Sequence, residues 1–370
     1  MNNGIPVSEI DDFVVVAGRP PNPSHPEKMK ALERSTAEVL EKAGDFQPRG
    51  LLSGSFICAH PPDYRGRPSL HFSVADWRAV FREFKEIGIN TAIWQASAWK
   101  ELRECYYPSR AFPGYRKWNA VEPMIKAAGA ENMELYLGSF GVLNGETSLG
   151  ITDDDSGRAI EAARNELACF KELAELYGGG FQGYYLSSEA IFWPQRAPIV
   201  YRHYGEFFRR VTDGVKQAAP KLKILASPAV CYSTGCEQEA FDRMMESFGS
   251  AHVDFFAPMD CIGQAHDLGT LENSLGVWSE VCRAKGSELW SNCESFLITD
   301  PAGSVMQIEA ADPRRFLYQM TVADRIGAKK LVTWEAMHFM NPAGEPKARL
   351  LRQAYQQHRD RLIKASGKPV

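Results

Sequence analysis

The amino-acid sequence predicts an α/β protein: a (β/α)8 barrel (TIM barrel) with an N-terminal helical extension. Three observations predict it. Apolar strand-like runs and amphipathic helical segments alternate eight times after residue 50, the order that makes a parallel sheet covered by helices. No G-x-G-x-x-G loop follows the first strand-like run, which counts against a dinucleotide-binding open sheet. Carboxylates and aromatics collect where the strand-like runs end, on the face where barrels carry their active sites.

Each element has its own signal. Residues 1–49 form the extension: a proline-rich loop from Pro20 to Pro26, then a helix over 26–43 with Pro26 at its start and Gly44 past its end. Residues 50–370 form the barrel. Strand-like 51–59 precedes a helix over 72–88 stopped by Gly88. Strand 91–97 precedes helix 119–130, strand 134–141 precedes helix 156–179, and strand 181–189 precedes helix 200–219. Strand 223–230 precedes helix 237–249, strand 253–260 precedes helix 270–286, and strand 288–296 precedes helix 312–327. Strand 330–337 and helix 345–363 complete the eighth unit. No linker divides these units and no longer repeat is present.

Composition narrows the function classes. Hydrophobic residues make up 44% of the 370 and charged residues 24%, with a formal net charge of −4. Such a chain can bury a closed barrel without metal or disulfide support. Acidic and basic residues are mixed, with no basic stripe for nucleic acid. No apolar run approaches the ~20 residues of a membrane span. The N-terminus lacks a basic region and a long apolar run, so a cytoplasmic location is expected, or secretion if a leader has been removed. Eight cysteines without a CxxC pair point weakly the same way. Self-association is compatible with this composition.

The strand ends hold the chemistry. Strand two carries Trp94 and Gln95. Strand four ends at Glu189, with Trp193 following, and strand six ends at Asp260. Strand seven carries Asn292 and Glu294, and strand eight carries Trp334, Glu335 and His338. A lone strand-end glutamate often turns outward to pair with a cation. Two of them on opposite sides of a barrel are better explained by use, because carboxylates that interrupt apolar runs are costly to bury. Paired carboxylates suit glycosidic cleavage: one protonates the leaving oxygen and the other attacks the anomeric carbon or activates water. Any single aromatic is more often core than sugar platform, so function is favoured only for Trp94, Trp193 and Trp334. His60, His266 and His338 near strand ends lack a compact metal motif such as H-E-x-x-H, and no metal or other cofactor is expected. Neither a serine elbow nor a local catalytic cysteine signature is present.

The phrases SGSFI (53–57), FKEIGINTAIWQ (84–95), YYP (106–108), LYLGSF (135–140), FQGYYLSSE (181–189) and LWSNCESF (289–296) resemble the DUF4434-type TIM-barrel proteins, which are candidate glycoside hydrolases. The resemblance covers about residues 50–340. The family's strand-six Q-D-G-x-G reads here as Met259–Asp260–Cys261–Ile262–Gly263, keeping the Asp and the last Gly. The layout is also similar to the large retaining-glycosidase clan, which implies Glu189 as acid/base and Glu294 as nucleophile. That clan has Asn before its acid/base; this chain has Ser188.

The expected function is therefore hydrolysis of a small glycoside or oligosaccharide, with retention, by Glu189 and Glu294. Gln95, Trp94, Trp193, Asp260, Asn292, Trp334, Glu335 and His338 are expected to contact the carbohydrate. A metal-dependent sugar isomerase or epimerase and a non-catalytic carbohydrate-binding barrel are the alternatives.

Overall fold

The computed structural model describes residues 25–43, 48–58, 69–100, 102–141, 156–194, 196–230, 235–264, 266–300 and 307–366. Eight strands close into a barrel: β1 (Leu52–Ile57), β2 (Thr91–Trp94), β3 (Glu134–Gly138), β4 (Gly183–Leu186), β5 (Lys223–Ala226), β6 (Phe255–Phe256), β7 (Glu288–Cys293) and β8 (Lys330–Trp334). They run around the ring as β1-β8-β7-β6-β5-β4-β3-β2, and each neighbouring pair is parallel. The helices are α1 (His25–Ala43), α2 (Val74–Glu86), α3 (Val121–Ala130), α4 (Ser156–Tyr177), α5 (Pro198–Ala218), α6 (Glu237–Phe248), α7 (Leu271–Lys285), α8 (Pro313–Ile326), α9 (Ala336–Phe339) and α10 (Pro346–Ser366). The predicted (β/α)8 fold is what forms. Gly44 lies outside the described residues. The helix before it touches the barrel: Ser35 Oγ donates to Asp267 Oδ1 at 2.6 Å.

Helix α8 illustrates why these segments fold as they do. Asp312 Oδ1 accepts from the N–H groups of Arg314 (2.8 Å) and Arg315 (3.2 Å), capping the start, where Pro313 needs no donor. Gly327 ends the helix at φ 95°, a conformation glycine takes without a Cβ penalty. Between these limits Arg315, Phe316, Gln319, Met320, Val322 and Ala323 are buried. Their i, i+4 spacing places Arg315 and Gln319 on one face, toward the barrel.

Every barrel strand is shorter than the sequence suggests, and for three of them the cause is plain. Pro228 and Pro258 lack an N–H, so β5 and β6 stop before them. The ladder resumes above: Ile191 and Phe192 pair with Ala229 and Val230, and single bridges join Ala229 to Met259 and Met259 to Asn292. The wall from β4 to β7 thus rises beyond the barrel proper. β8 ends at Trp334 because Glu335, at φ 55°, turns the chain into α9. The sequence reading also lacked a small sheet of 98–99, 104–105, 116–117 and 140–141, and a hairpin of Phe296–Asp300 with Gln307–Ala310.

Strand alternation separates two cores. Phe56, Ile93, Tyr136, Tyr185, Leu225, Ala257, Trp290 and Val332 fill the barrel, with Phe255 and Trp334 against them. The larger core lies between sheet and helices. There Trp77 of α2 meets Trp94 edge-on at 5.9 Å. Aromatic burial of this kind contributes roughly 1.5–3 kcal/mol per side chain.

Candidate active site

The floor of the site is the top of the barrel interior. Phe56 and Tyr185 meet edge-on at 5.2 Å, beneath the strand ends. Tyr185 is raised well above the ordinary phenol range, first by burial and then by the charge of Glu189; its hydrogen bond to Ser227 pulls the other way. Ser227 Oγ donates to Ala257 O at 2.7 Å and accepts from Asn292 Nδ2 at 3.5 Å. Asn292 shares the inward parity of Trp290, and Glu294 follows two residues later. A short polar path therefore joins the surroundings of Glu189, which is half-buried, to the strand that delivers Glu294.

Glu294 is 2% exposed and is held at both ends. Its backbone N–H donates to Asp260 Oδ2 at 3.2 Å, and its Oε2 accepts from Gly263 N–H at 2.7 Å. A Cβ at residue 263 would stand 2.6 Å from Phe296 O and 2.8 Å from Glu294 Oε2. Only glycine lets that N–H come so close. An N–H aimed at a carboxylate oxygen favours the ionised, electron-rich form. Burial pushes Asp260 up to about 6, opposed by the Gln319 amide, the Ile262 N–H, the Arg315 charge and the Glu294 N–H.

Several polar atoms at this face are buried without a protein hydrogen-bond partner among the described residues: Gln95 Oε1, Ser187 Oγ, Ser188 Oγ and Asn292 Oδ1. Each such atom costs about 1–3 kcal/mol when left unsatisfied. They belong to the ends of β2, β4 and β7.

The structure sorts the expected site residues. Asn292 and Trp334 share the inward parity of the barrel core, and half-buried Gln95 follows inward-facing Ile93. Trp334 meets Phe296 edge-on at 4.9 Å. Trp193 is half-buried on the raised wall, packed against the cluster of Ala229 and Cys261, with its ring 6.0 Å from that of His266. Trp94 is corrected: parity turns it outward onto Trp77 and Tyr106, and it is fully buried, so it is core and not a sugar platform. Asp260 is corrected as well, since its oxygens are engaged by Gln319, Ile262 N–H and Glu294 N–H. Glu335 is a brace and not a hydroxyl holder: one oxygen accepts from Cys58 N–H and the other meets His338 Nδ1. His338 is buried with it, its ring orientation set by that carboxylate. His60 lies outside the described residues. Among the described residues no group of three or more His, Cys, Asp or Glu is arranged to hold a metal ion.

Other supporting residues escaped the sequence reading. Arg315 and Gln319 sit on a helix whose pattern resembles any amphipathic helix, so nothing marks them as buried against a strand end. Gly263 did carry a signal, as the retained last glycine of the strand-six motif. Glu166, in the middle of α4, is 1% exposed. It accepts from the Tyr184 hydroxyl, from Phe140 N–H at 3.2 Å, and from Ser187 N–H two residues before Glu189. Burial pushes Glu166 up to about 7 against these bonds. The folded state thus holds this proton more tightly than the unfolded chain. The resulting stability is complete below the ordinary value of 4.5 and is lost as pH rises through about 7. Glu166→Gln, which cannot titrate, is expected to remove a decline on the order of 3 kcal/mol between pH 4.5 and 7.5. Urea unfolding of both proteins across that range is the check; parallel pH profiles would count against it.

Comparison with known proteins agrees with this architecture. A candidate alpha-L-fucosidase from Bacteroides thetaiotaomicron is 21% identical, with a TM-score of 0.64 over 86% of this chain and 97% of that one. A broad-specificity GH5-4 endoglucanase from Ruminococcus champanellensis with bound cellotriose is 11% identical, with a TM-score of 0.52 over 88% and 97%. These likenesses establish the fold as a (β/α)8 TIM barrel. No curated protein matches the sequence. Residues 52–348 match the domain of unknown function DUF4434; the match runs from the first barrel strand past the last, and the chain belongs to that family.

Proposed function

We propose that this protein is a glycoside hydrolase that cleaves a small glycoside or oligosaccharide with retention of anomeric configuration. The observation behind the proposal is the setting of the two strand-end glutamates. Glu189 follows β4 and Glu294 follows β7, and the ends of β2, β4 and β7 carry buried Ser, Asn and Gln atoms with no protein partner among the described residues. In this reading Glu189 protonates the departing oxygen while Glu294 attacks the anomeric carbon. Glu189, then a base, takes the proton from the water that releases the sugar. Asn292, Gln95, Ser187 and Ser188 take hydroxyls, and Trp334 and Trp193 offer faces for the ring. The fucosidase-like and endoglucanase neighbours support a carbohydrate substrate without specifying one.

The test is hydrolysis of a panel of aryl glycosides and short oligosaccharides, with the first-formed anomer followed by proton NMR. The expected result is turnover of at least one member with retained configuration. An inverted first product would sink the nucleophile role of Glu294. Binding of sugars with no turnover across the panel would favour a carbohydrate-binding barrel.

A further inference from the structure

Residues 260–263, in the turn beyond β6, grip the residue that follows β7. Asp260 Oδ2 takes the backbone N–H of Glu294 (3.2 Å), and Gly263 gives its own N–H to Glu294 Oε2 (2.7 Å). The turn between them is closed by Ile262 N–H donating to Asp260 Oδ1 at 3.2 Å. It passes through Cys261 at φ 58°, a left-handed position costing a non-glycine residue about 1 kcal/mol or more. Such strain persists only where surrounding contacts enforce it.

Those contacts come from one face of α8. Arg315 Nη1 donates to Ile262 O at 3.2 Å, and its Nη2 reaches Glu294 O at 3.4 Å and Phe296 O at 2.6 Å. Gln319 Nε2 donates to Asp260 Oδ2 and lies 3.3 Å from Glu294 O. Each side chain thus bridges the turn and the strand-seven exit. All four partners are nearly inaccessible: Arg315 is 4% exposed, Gln319 0%, Asp260 5% and Glu294 2%. The packing of an apolar core does not require a fully buried Gln and Arg on one helix face; two leucines would fill the same stripe without the desolvation cost.

We propose that residues 260–263, stapled by Arg315 and Gln319, act as a clamp that sets the Glu294 carboxylate for attack. The clamp rests on the reading of Glu294 as the nucleophile, but its geometry can be examined without turnover. Asp260, Arg315 and Gln319 are positioning residues, since they act through Glu294 and not on substrate. The substituted amide matters more than its bulk: removing the Gln319 N–H groups frees Asp260, relaxes the turn and withdraws Gly263 N–H from Glu294.

Gln319→Met, close in volume and without a donor, is the first variant, and Asp260→Asn is the second. Each is purified and its crystal structure determined alongside the wild type. For Gln319→Met the Gly263 N to Glu294 Oε2 separation is expected to lengthen beyond 3.5 Å or the Glu294 rotamer to change. On a glycoside cleaved by the wild type, kcat should fall 10- to 100-fold with KM within about twofold, the split expected of misplacement by about 1 Å. Gln319→Glu, whose carboxylate faces that of Asp260, should be no better than Gln319→Met. A Met variant that keeps the 2.7 Å bond and wild-type kcat overturns the clamp. If Gln319→Met does not fold, Asp260→Asn decides by the same distance and the same kcat–KM split. If the wild type cleaves no glycoside, the hydrolase reading fails, and the crystallographic distance alone upholds or overturns the clamp.

Discussion

Glu294→Ala is expected to abolish turnover, lowering kcat on an aryl glycoside by about 10⁴-fold or more, the scale on which removal of a covalent nucleophile acts. Added azide should restore part of this rate. It enters the space vacated by the carboxylate and attacks the anomeric carbon from that side, so the glycosyl azide formed is inverted relative to the substrate. Glu189→Ala should respond differently. General-acid assistance contributes about 10²–10⁴-fold, and an activated phenol leaves without it. The loss should therefore be large for alkyl glycosides and small for dinitrophenyl ones. Azide then intercepts the glycosyl-enzyme, and its product retains configuration. These opposite stereochemical outcomes assign the two roles separately. Full activity in both variants would remove both residues from the chemistry. The Gly263 N–H against Glu294 and the half-buried setting of Glu189 beside Tyr185 fit this division, one group held fixed by a hydrogen bond, the other nearer solvent.

Arg315→Met should destabilise the fold by about 3–5 kcal/mol, the cost of removing one member of a buried charge set. The guanidinium serves three carbonyl oxygens on two separate segments, at residues 262, 294 and 296. It also lies close enough to Asp260, Glu294 and Asp312 for their charges to stabilise it against the burial that lowers its pKa. Without it, the buried carboxyl groups of Asp260 and Glu294 lose their neighbouring cation, and carbonyls stand unsatisfied beside them. Arg315→Lys should recover only part of the loss, because one ammonium cannot span three acceptors set in a planar fork. The midpoint of urea unfolding measures both variants; a Met variant within about 0.5 kcal/mol of wild type would mean that water replaces the guanidinium without penalty.

Much of this molecule is legible along the chain. Hydrophobic periodicity switches from two to 3.6 eight times, and that alternation permits few topologies besides the barrel. Because barrel strands are parallel, all their ends share one face, and so the positions of Glu189, Asn292, Glu294 and Trp334 can be read from where apolar runs stop. Strand parity should have warned about Trp94: Ile93 faces inward, and its neighbour must face the helices. That parity depends on register, which is set by pairing with β1 and β3, and register is not written in β2 alone.

What the sequence by itself determined is the order of elements, their ends, and the strand-end position of the two glutamates. Local propensity and pattern are short-range properties, and they decide these things. Only the tertiary structure decided what each polar residue does there. Asp260 and Glu335 look like site carboxylates in the sequence, yet both are spent on backbone N–H groups of other strands. Arg315, Gln319 and Glu166 look like ordinary helix residues and prove to be buried against strand exits far away in the chain. A buried polar group is satisfied by whatever the fold brings within about 3 Å of it, and for Glu294 that is a turn 31 residues earlier and a helix face more than 20 residues later.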